Sequence, residues 1–255
     1  MSSLLKLGSA FFGGSLTSLS LFKKQSLAAP DCGHPLVEMR EEPWNYNWDG
    51  RHGQNCGTGV RNIFLIRHGQ YQTRAPVMRL TNTGLYQADR LGEFLKKFIP
   101  TEFDLNAVDL QVFNSPVIRA EQTMKRAMIK SEICNARSVT DNRLAEGCPI
   151  MPNPGYEGYE PCWQDVKFMR DNLNDWFRER MHRSSSNRDS VELYFCHGNV
   201  TRFLTMKLLQ MPLCAWSRFT VKHCSISWFK IFPDGRVSCV TLGDVGFMDL
   251  DYWTA

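Results

Sequence analysis

The stretch NIFLIRHGQ, residues 62–70, is an apolar run that ends abruptly in polar residues. A short, continuous apolar run is typical of a strand that is buried on both faces of a parallel sheet. Open α/β sheets bind their ligands beyond the carboxyl ends of the strands. We therefore predict that Arg67 and His68 lie at the ligand-binding edge of such a sheet.

The chain on either side of this strand alternates between predicted strands and helices. A helix is expected to begin with Ser115 as its N-cap and Pro116 as its first residue. Apolar runs and helical periodicity predict the further elements, namely strands over 110–113 and 191–195, helices over 81–99, 163–183 and 200–210, and a terminal hairpin turning at 233–235. This order predicts an α/β fold, a three-layer sandwich with a mostly parallel sheet flanked by helices.

The composition is that of a globular protein with one sizeable domain and a tail. The 255 residues are 43% hydrophobic and 22% charged, with a formal net charge of +4. Basic residues are scattered among acidic ones, so we predict no nucleic-acid partner. The nine cysteines are an odd number without a C-x-x-C pair, which favours free thiols in a reducing compartment.

We divide the chain into an N-terminal membrane or targeting segment (1–30), a linker (31–60) and a folded domain (61–255). The stretch from Leu7 to Phe22 carries no charge and is flanked by lysines. Its apolar reach falls short of the roughly 20 residues that a bilayer core requires. A weak transmembrane anchor, a cleaved secretory signal, an organellar presequence and a disordered tail are all compatible with it.

The linker contains three aromatic residues at alternate positions, Trp44, Tyr46 and Trp48. An extended segment would present all three on one face. Two interpretations stay open: a docking arm for a partner subunit, and a patch that folds back on the domain.

Three predicted strand ends deliver polar groups to one edge of the sheet. Arg67 and His68 follow the first strand, Arg119 lies one turn into the helix after the second, and His197 follows the third. The tetrapeptide RHGQ also occurs at 51–54, but no strand precedes that copy. We assign the chemistry to His68 and interpret His52 as a solvated loop residue.

Two arginines and two histidines at one edge suit phosphoryl transfer. Guanidinium groups can bind the equatorial phosphoryl oxygens in a bidentate manner, and a neutral imidazole is a competent nucleophile toward phosphorus. Glu146, in the loop stretch RLAEGCPI, is the candidate general acid and later base. The sequence shows no carboxylate cluster suited to metal ions, so we predict neither metal nor other cofactor.

Five stretches occur in an order similar to that of the histidine phosphatase superfamily, which includes phosphoglycerate mutases: LIRHG, LTNTGLYQA, SPVIRAEQT, LAEG and CHGNV. The resemblance extends from Arg61 to about Leu242. Within the superfamily the chain most resembles a branch of mitochondrial serine/threonine-protein phosphatases, on the stretches WNYNWD, CHGNVTRF with LLQMP, and LGDVGFM.

The resemblance implies a role for each candidate residue. His68 would be the phosphorylated nucleophile and Glu146 the proton donor. The phosphoryl group would be bound by Arg67, Arg119 and His197, and His197 would also be a catalytic residue.

The resemblance also implies phosphoprotein substrates, a stress-activated kinase as partner, a homo-oligomer, and a single N-terminal anchor in the mitochondrial outer membrane. The chain departs from the branch at Asn45, where an aspartate is expected, in its short linker, and in the loop YQTRAPVMR. A small-molecule phosphatase of the phosphoglycerate mutase type and a membrane-tethered adaptor for phosphoproteins are the alternative functions.

Overall fold

The computed structural model describes residues 43–54, 56–133, 138–153, 155 and 160–255. From Trp44 to Ala255 they form one compact unit. Its regular elements are β1 (Arg61–Arg67), α1 (Asn82–Glu102), β2 (Asp109–Asn114), α2 (Ile118–Ser131), β3 (Ser138–Thr140), α3 (Trp163–Arg180), β4 (Ser190–Cys196), α4 (Gly198–Leu208), β5 (Ile226–Ile231) and β6 (Val237–Asp244).

The strands of the described residues form a six-stranded sheet in the order β3-β2-β4-β1-β5-β6. The first four strands of this order are parallel, while β5 and β6 are antiparallel and form the predicted hairpin. The mostly parallel sheet is therefore confirmed. Strand β3 was not predicted, because its three residues are exposed and carry no apolar run.

Helices cover both faces of the sheet, as predicted for a three-layer sandwich. Phe64 and Ile66 of β1 pack on one side with helices α1 and α2, whereas Ile63 and Leu65 pack on the other side with α3 and α4. Successive strand side chains point to opposite faces, so a strand covered on both sides is apolar throughout. This explains the uninterrupted apolar run that identified β1.

Helix α2 begins later than predicted. Its first residue is Ile118, and Val117 occupies the N-cap without a side-chain hydrogen bond, so the prediction of Ser115 as N-cap and Pro116 as first helical residue is wrong. The Ser115 hydroxyl instead accepts a hydrogen bond from the Val117 N–H at 3.2 Å and contacts His197. The serine thus closes a turn between strand and helix, and its hydroxyl is engaged with the site.

The aromatic segment forms turns and folds back on the domain, so it is not extended. The indoles of Trp44 and Trp48 both donate to the Gly235 carbonyl, at 3.2 and 2.8 Å. Asp49 forms a buried ion pair with Arg183 at 2.8 Å. The open question about this segment is thereby answered for the single chain in favour of the folded-back patch.

The predicted membrane or targeting segment, residues 1–30, lies outside the described residues. Among the residues that the structure describes, no helix combines the length and apolarity needed to cross a bilayer. Six cysteines of the described ranges are free thiols, as expected: Cys56, Cys162, Cys196, Cys214, Cys224 and Cys239.

Candidate active site

The sheet register brings the strand ends together. Arg67 at the end of β1 pairs with Cys196 at the end of β4. The next residue of each strand is a histidine, and the rings of His68 and His197 lie 5.1 Å apart between centroids. The predicted convergence of these two side chains is therefore present in the structure.

The second RHGQ copy is locked against the start of α1. A Cβ on Gly69 would lie 2.7 Å from the Gly84 carbonyl oxygen, and one on Gly84 would lie 2.0 Å from the Gln70 carbonyl oxygen. The Gln70 N–H donates to the Gln87 side chain at 2.8 Å. Both glycines are needed because the two backbones touch, and the contact holds the loop that carries His68.

The first copy has none of this packing among the described residues. His52 is exposed. Gly53 has a φ of +76°, and a Cβ there would meet nothing within 4 Å. The copy forms an exposed turn, as the interpretation of His52 as a loop residue anticipates.

His68 is buried, with 1% of its surface exposed. Its Nδ1 lies 2.8 Å from the Gly69 carbonyl oxygen, which can only accept, so Nδ1 carries the proton. The other nitrogen, Nε2, then keeps its lone pair and accepts from Arg119 Nε at 3.1 Å. Burial, followed by the neighbouring His197, holds the pKa of His68 well below its usual value, so the ring is neutral at physiological pH.

Arg119 is positioned by α2 and by an aromatic ring. Its guanidinium lies 4.6 Å from the ring centroid of Tyr71 and 3.9 Å from Glu146 Oε2. Its backbone carbonyl accepts from the Thr123 hydroxyl, which in turn accepts from the Gly69 N–H at 3.0 Å. Helix α2 is thus tied to the loop of the candidate nucleophile.

Glu146 stands at the mouth of the site with 29% of its side chain exposed. Its Oε2 lies 3.6 Å from His197 Nδ1, and the Gly147 N–H donates to its Oε1 at 3.3 Å. Burial raises the pKa of Glu146, while Arg119 pulls in the opposite direction without cancelling the rise. A carboxyl with a raised pKa is suited to deliver a proton near neutral pH.

Two buried donors point to an anion. Among the described residues, Arg67 Nε and His197 Nδ1 have no hydrogen-bond partner. Burying such groups without a partner is costly, and a site that binds charged oxygens supplies the partners. Burial first, then Arg119 and Arg67, keep the pKa of His197 well below its usual value.

The Ser115 hydroxyl lies 2.8 Å from His197 Nε2. If this hydroxyl donates to Nε2, then Nδ1 carries the proton and faces Glu146 as a donor. This tautomer matches a role for His197 in holding a phosphoryl oxygen.

The same cluster has metal-like spacing. His68, Glu146 and His197 each place a nitrogen or oxygen atom within 4.8 Å of the others. The guanidinium groups of Arg67 and Arg119 lie beside them, and two fixed positive charges oppose a cation and attract an anion. The donor set therefore fits a phosphoryl group better than a metal ion.

Sequence reasoning missed His223. Its ring lies 5.6 Å from that of His68, and its Nε2 lies 3.0 Å from Arg67 Nη2. The predicted site residues follow strands or lie in a loop, whereas His223 comes shortly before β5. Because β5 is antiparallel to β1, its beginning lies at the edge where β1 ends. The sequence signal that could have identified His223 is its place just before an apolar run in the terminal hairpin.

Cys196 is not a candidate nucleophile. Its thiol is fully buried, and burial raises its pKa to about 12. A protonated thiol is a poor nucleophile, which supports the interpretation of Cys196 as a packing residue.

With this fold and this arrangement of charges, the chain belongs to the histidine phosphatase superfamily (branch 1), whose sequence profile matches residues 63–148 and 163–244. Among solved structures, it is similar to the phosphoglycerate mutase of Plasmodium falciparum, at 26% identity and a TM-score of 0.51 over 72% of this chain and 91% of that one. It also shares its fold with an α-ribazole-5′-phosphate phosphatase of Escherichia coli described as putative, at 19% identity and a TM-score of 0.53 over 72% of this chain and 96% of that one.

Curated relatives carry the name serine/threonine-protein phosphatase Pgam5, mitochondrial. The Caenorhabditis elegans protein is 27% identical over 96% of this chain and 92% of its own length. The Drosophila virilis protein is 32% identical over 85% and 74%, and that of Mus musculus is 33% identical over 75% and 65%. The resemblance to this branch is therefore confirmed.

Proposed function

We propose that this protein is a serine/threonine-protein phosphatase that hydrolyses phosphate monoesters through a phosphohistidine at His68. The observation that carries the proposal is the tautomer of His68, whose Nδ1–H is held by the Gly69 carbonyl oxygen while the Nε2 lone pair faces Arg119. The names of the relatives supply the substrate class.

In the first step, His68 Nε2 attacks phosphorus and the bond to the serine or threonine oxygen breaks. Arg119 turns its donors from Nε2 to the phosphoryl oxygens, where Arg67 and His197 add further donors. Glu146 gives its proton to the departing oxygen, so a neutral alcohol leaves.

In the second step, water attacks the phosphohistidine and the phosphorus–nitrogen bond breaks. Glu146, now ionised, takes a proton from the water, and inorganic phosphate is released. His68 returns to its neutral form with Nδ1 still protonated, and Glu146 returns to its acid form.

The test is to trap the phosphoenzyme. The purified protein is mixed with a ³²P-labelled phosphopeptide, quenched in alkali to preserve phosphohistidine, and digested to map the label. We expect label on His68, none in His68→Ala, and unchanged label in the matched control His52→Ala, which alters the exposed copy of RHGQ. Full labelling of His68→Ala would refute the assignment.

A small-molecule substrate is the second candidate, supported by an open cavity beside the site. The cavity has a volume of about 700 Å³, and Arg67, Tyr71 and Arg74 are among its lining residues. Arg74 would hold the second acidic group of a phosphoglycerate or a sugar bisphosphate, while Arg67 binds the transferred phosphoryl group. A kcat/KM for these compounds that exceeds the value for phosphopeptides, and that falls in Arg74→Ala, would favour this candidate.

We further propose a mitochondrial location, in the outer membrane and with a single N-terminal anchor. The relatives are named mitochondrial, and the stretch from Leu7 to Phe22 carries no charge. Cell fractionation with alkaline carbonate extraction tests the proposal. Full-length protein is expected in the membrane pellet, while a chain lacking residues 1–30 is expected in the supernatant.

The homo-oligomer and the stress-activated kinase partner also stay proposals. The aromatic segment supports the first, since half of the surface of Tyr46 is exposed while its two tryptophans bind their own domain. Light scattering of the wild type and of Tyr46→Ala tests it. Co-purification with a phosphorylated kinase is compared between the wild type and His68→Ala. The comparison separates a catalytic effect, which needs His68, from an adaptor function, which does not.

A further inference from the structure

His223 connects the candidate phosphate site to the end of the chain. Its Nε2 lies 3.0 Å from Arg67 Nη2, and its Nδ1 lies 2.8 Å from the Thr254 hydroxyl. Its backbone N–H also donates to the Thr254 carbonyl oxygen at 2.9 Å. The side chain is buried, with 5% of the residue exposed.

The hydrogen bonds determine which nitrogen of His223 carries the proton. Arg67 can only donate, so Nε2 must accept and Nδ1 must carry the hydrogen. Thr254 Oγ1 then accepts from Nδ1–H and from Gln87 Nε2, which lies 2.9 Å away. Burial, followed by the charge of Arg67, lowers the pKa of His223 to about 3, so it is a neutral acceptor across the physiological range.

Gln87 links the same tail to the loop of the nucleophile. Its amide nitrogen donates to the Tyr252 carbonyl oxygen at 2.7 Å, and its amide oxygen accepts from the Gln70 N–H at 2.8 Å. Because Oε1 is the acceptor, Nε2 is the donor toward Thr254, which agrees with the tautomer of His223. The hydrogen bonds of Gln87 and those of His223 therefore assign the same acceptor role to the Thr254 hydroxyl.

The backbone beside His223 is strained in a way that holds its position. Cys224 has a φ of 54°, in the left-handed region that non-glycine residues rarely adopt. Its N–H donates to the His68 carbonyl oxygen at 3.2 Å. Strain of this kind persists where surrounding contacts impose it, and such positions cluster at functional sites.

Arg67 is thereby held through both of its terminal nitrogens. Nη1 donates to the Val221 carbonyl oxygen and Nη2 to His223. The buried Nε, without a partner among the described residues, is free to donate to the phosphoryl group. An arginine with both ends held loses less side-chain entropy on binding, so its donor is preorganised.

We propose that His223 is a positioning residue for the phosphate-binding Arg67, and that Thr254 holds it in the accepting tautomer, so that the C-terminal segment 252–255 is part of the phosphate site. The inference rests on the proposed function only for the identity of the ligand as a phosphate. It assigns no proton transfer to His223.

The test measures binding of orthovanadate and inorganic phosphate to the full chain by titration calorimetry, with kcat and KM for a phosphopeptide alongside. His223→Leu removes the acceptor and should weaken phosphate binding about tenfold, the loss typical of one hydrogen bond to a charged group. His223→Gln places an oxygen near the position of Nε2 and should restore binding to within about threefold. Equal weakening in both variants, or no weakening in His223→Leu, would overturn the proposal.

A second pair of variants avoids the buried ring. Thr254→Val removes the hydroxyl with little change of shape and should weaken phosphate binding about threefold to tenfold, whereas Thr254→Ser keeps the hydroxyl and should bind like the wild type. Equal binding by the two would overturn the role of Thr254. If the wild type binds phosphate and the variants lose it, but no phosphopeptide is hydrolysed, the positioning role stands and the proposed function falls.

Discussion

Replacing Glu146 by glutamine tests the proton donor without altering the shape of the site. Glutamine is nearly isosteric with glutamate, and its amide oxygen can still accept from the Gly147 N–H, which lies 3.3 Å from Oε1. The contacts that Oε2 makes at 3.6 Å to His197 and at 3.9 Å to Arg119 exceed hydrogen-bonding distance. Their loss therefore contributes little, and the change removes mainly the transferable proton.

The expected loss depends on the leaving group. General acid catalysis contributes about 10²–10⁴-fold, which is about 3–5 kcal/mol of barrier. The alkoxide that leaves from phosphoserine must be protonated by the general acid, whereas 4-nitrophenolate is a stable anion and can leave without a proton. We expect Glu146→Gln to lose about 10²–10⁴-fold in kcat with a phosphoserine peptide and under about tenfold with 4-nitrophenyl phosphate.

The same variant should change the pH profile of kcat/KM. Activity requires protonated Glu146, so in the wild type it declines as pH rises through the raised pKa of this carboxyl. Glutamine does not titrate, so the alkaline decline should disappear in the variant. Ionisation of the substrate is common to both enzymes and cancels in their ratio.

The two substrates are assayed side by side by phosphate release, from pH 4 to pH 9. Equal losses with both leaving groups, together with an unchanged alkaline limb, would refute the role of Glu146 as general acid. Unchanged thermal unfolding of the variant serves as the control for folding.

Three further perturbations test other parts of the structure. Gly198→Ala would place a Cβ 3.3 Å from Arg67 Nε, so we expect roughly a tenfold loss of kcat/KM. Thermal stability should not fall, since alanine is the better helix former. Full activity of the variant would argue against a role for Arg67 Nε as a donor. Asp49→Asn leaves Arg183 buried without its ion partner and should cost about 3–5 kcal/mol in the free energy of unfolding, measured by urea denaturation. Burial raises the pKa of Asp49, but hydrogen bonds from Arg183 outweigh it and leave the pKa lowered, so this contribution is present at neutral pH and is lost as pH falls through the lowered pKa. Attack requires neutral His68, whose pKa is lowered, so kcat/KM of the wild type should stay high well below pH 6.5. A decline of kcat/KM that is already complete at pH 6.5 would contradict the assignment of His68 as the nucleophile.

Four of the five site residues that the sequence predicted share one property, which is that each follows a strand whose burial can be recognised locally; Glu146 lies in a loop instead. Arg67, His68 and His197 come directly after apolar runs, and Arg119 is the second residue of α2, the helix that follows β2. The rule that parallel strands end at one edge was sufficient to place them together. Their catalytic roles rest on the resemblance and on the tests above.

The parts that were missed depend on contacts between distant segments. His223 precedes an antiparallel strand, and its bonds to Arg67 and Thr254 join residues far apart in the chain. Ser115 resembles an N-cap by its local sequence, but its hydroxyl contacts His197 from another strand. Local patterns carry no information about such pairs.

By itself, the sequence determined the strand–helix alternation, the sheet edge that collects the polar groups, and which RHGQ copy follows a buried strand. These features depend on hydrophobic periodicity, which is a property of residues close together in the chain. The tertiary structure alone decided which nitrogen of His68 faces Arg119, why the pKa of Glu146 is raised, and that the aromatic segment folds back on the domain. Protonation and tautomer follow from burial and from partners that only the folded chain brings within a few ångströms.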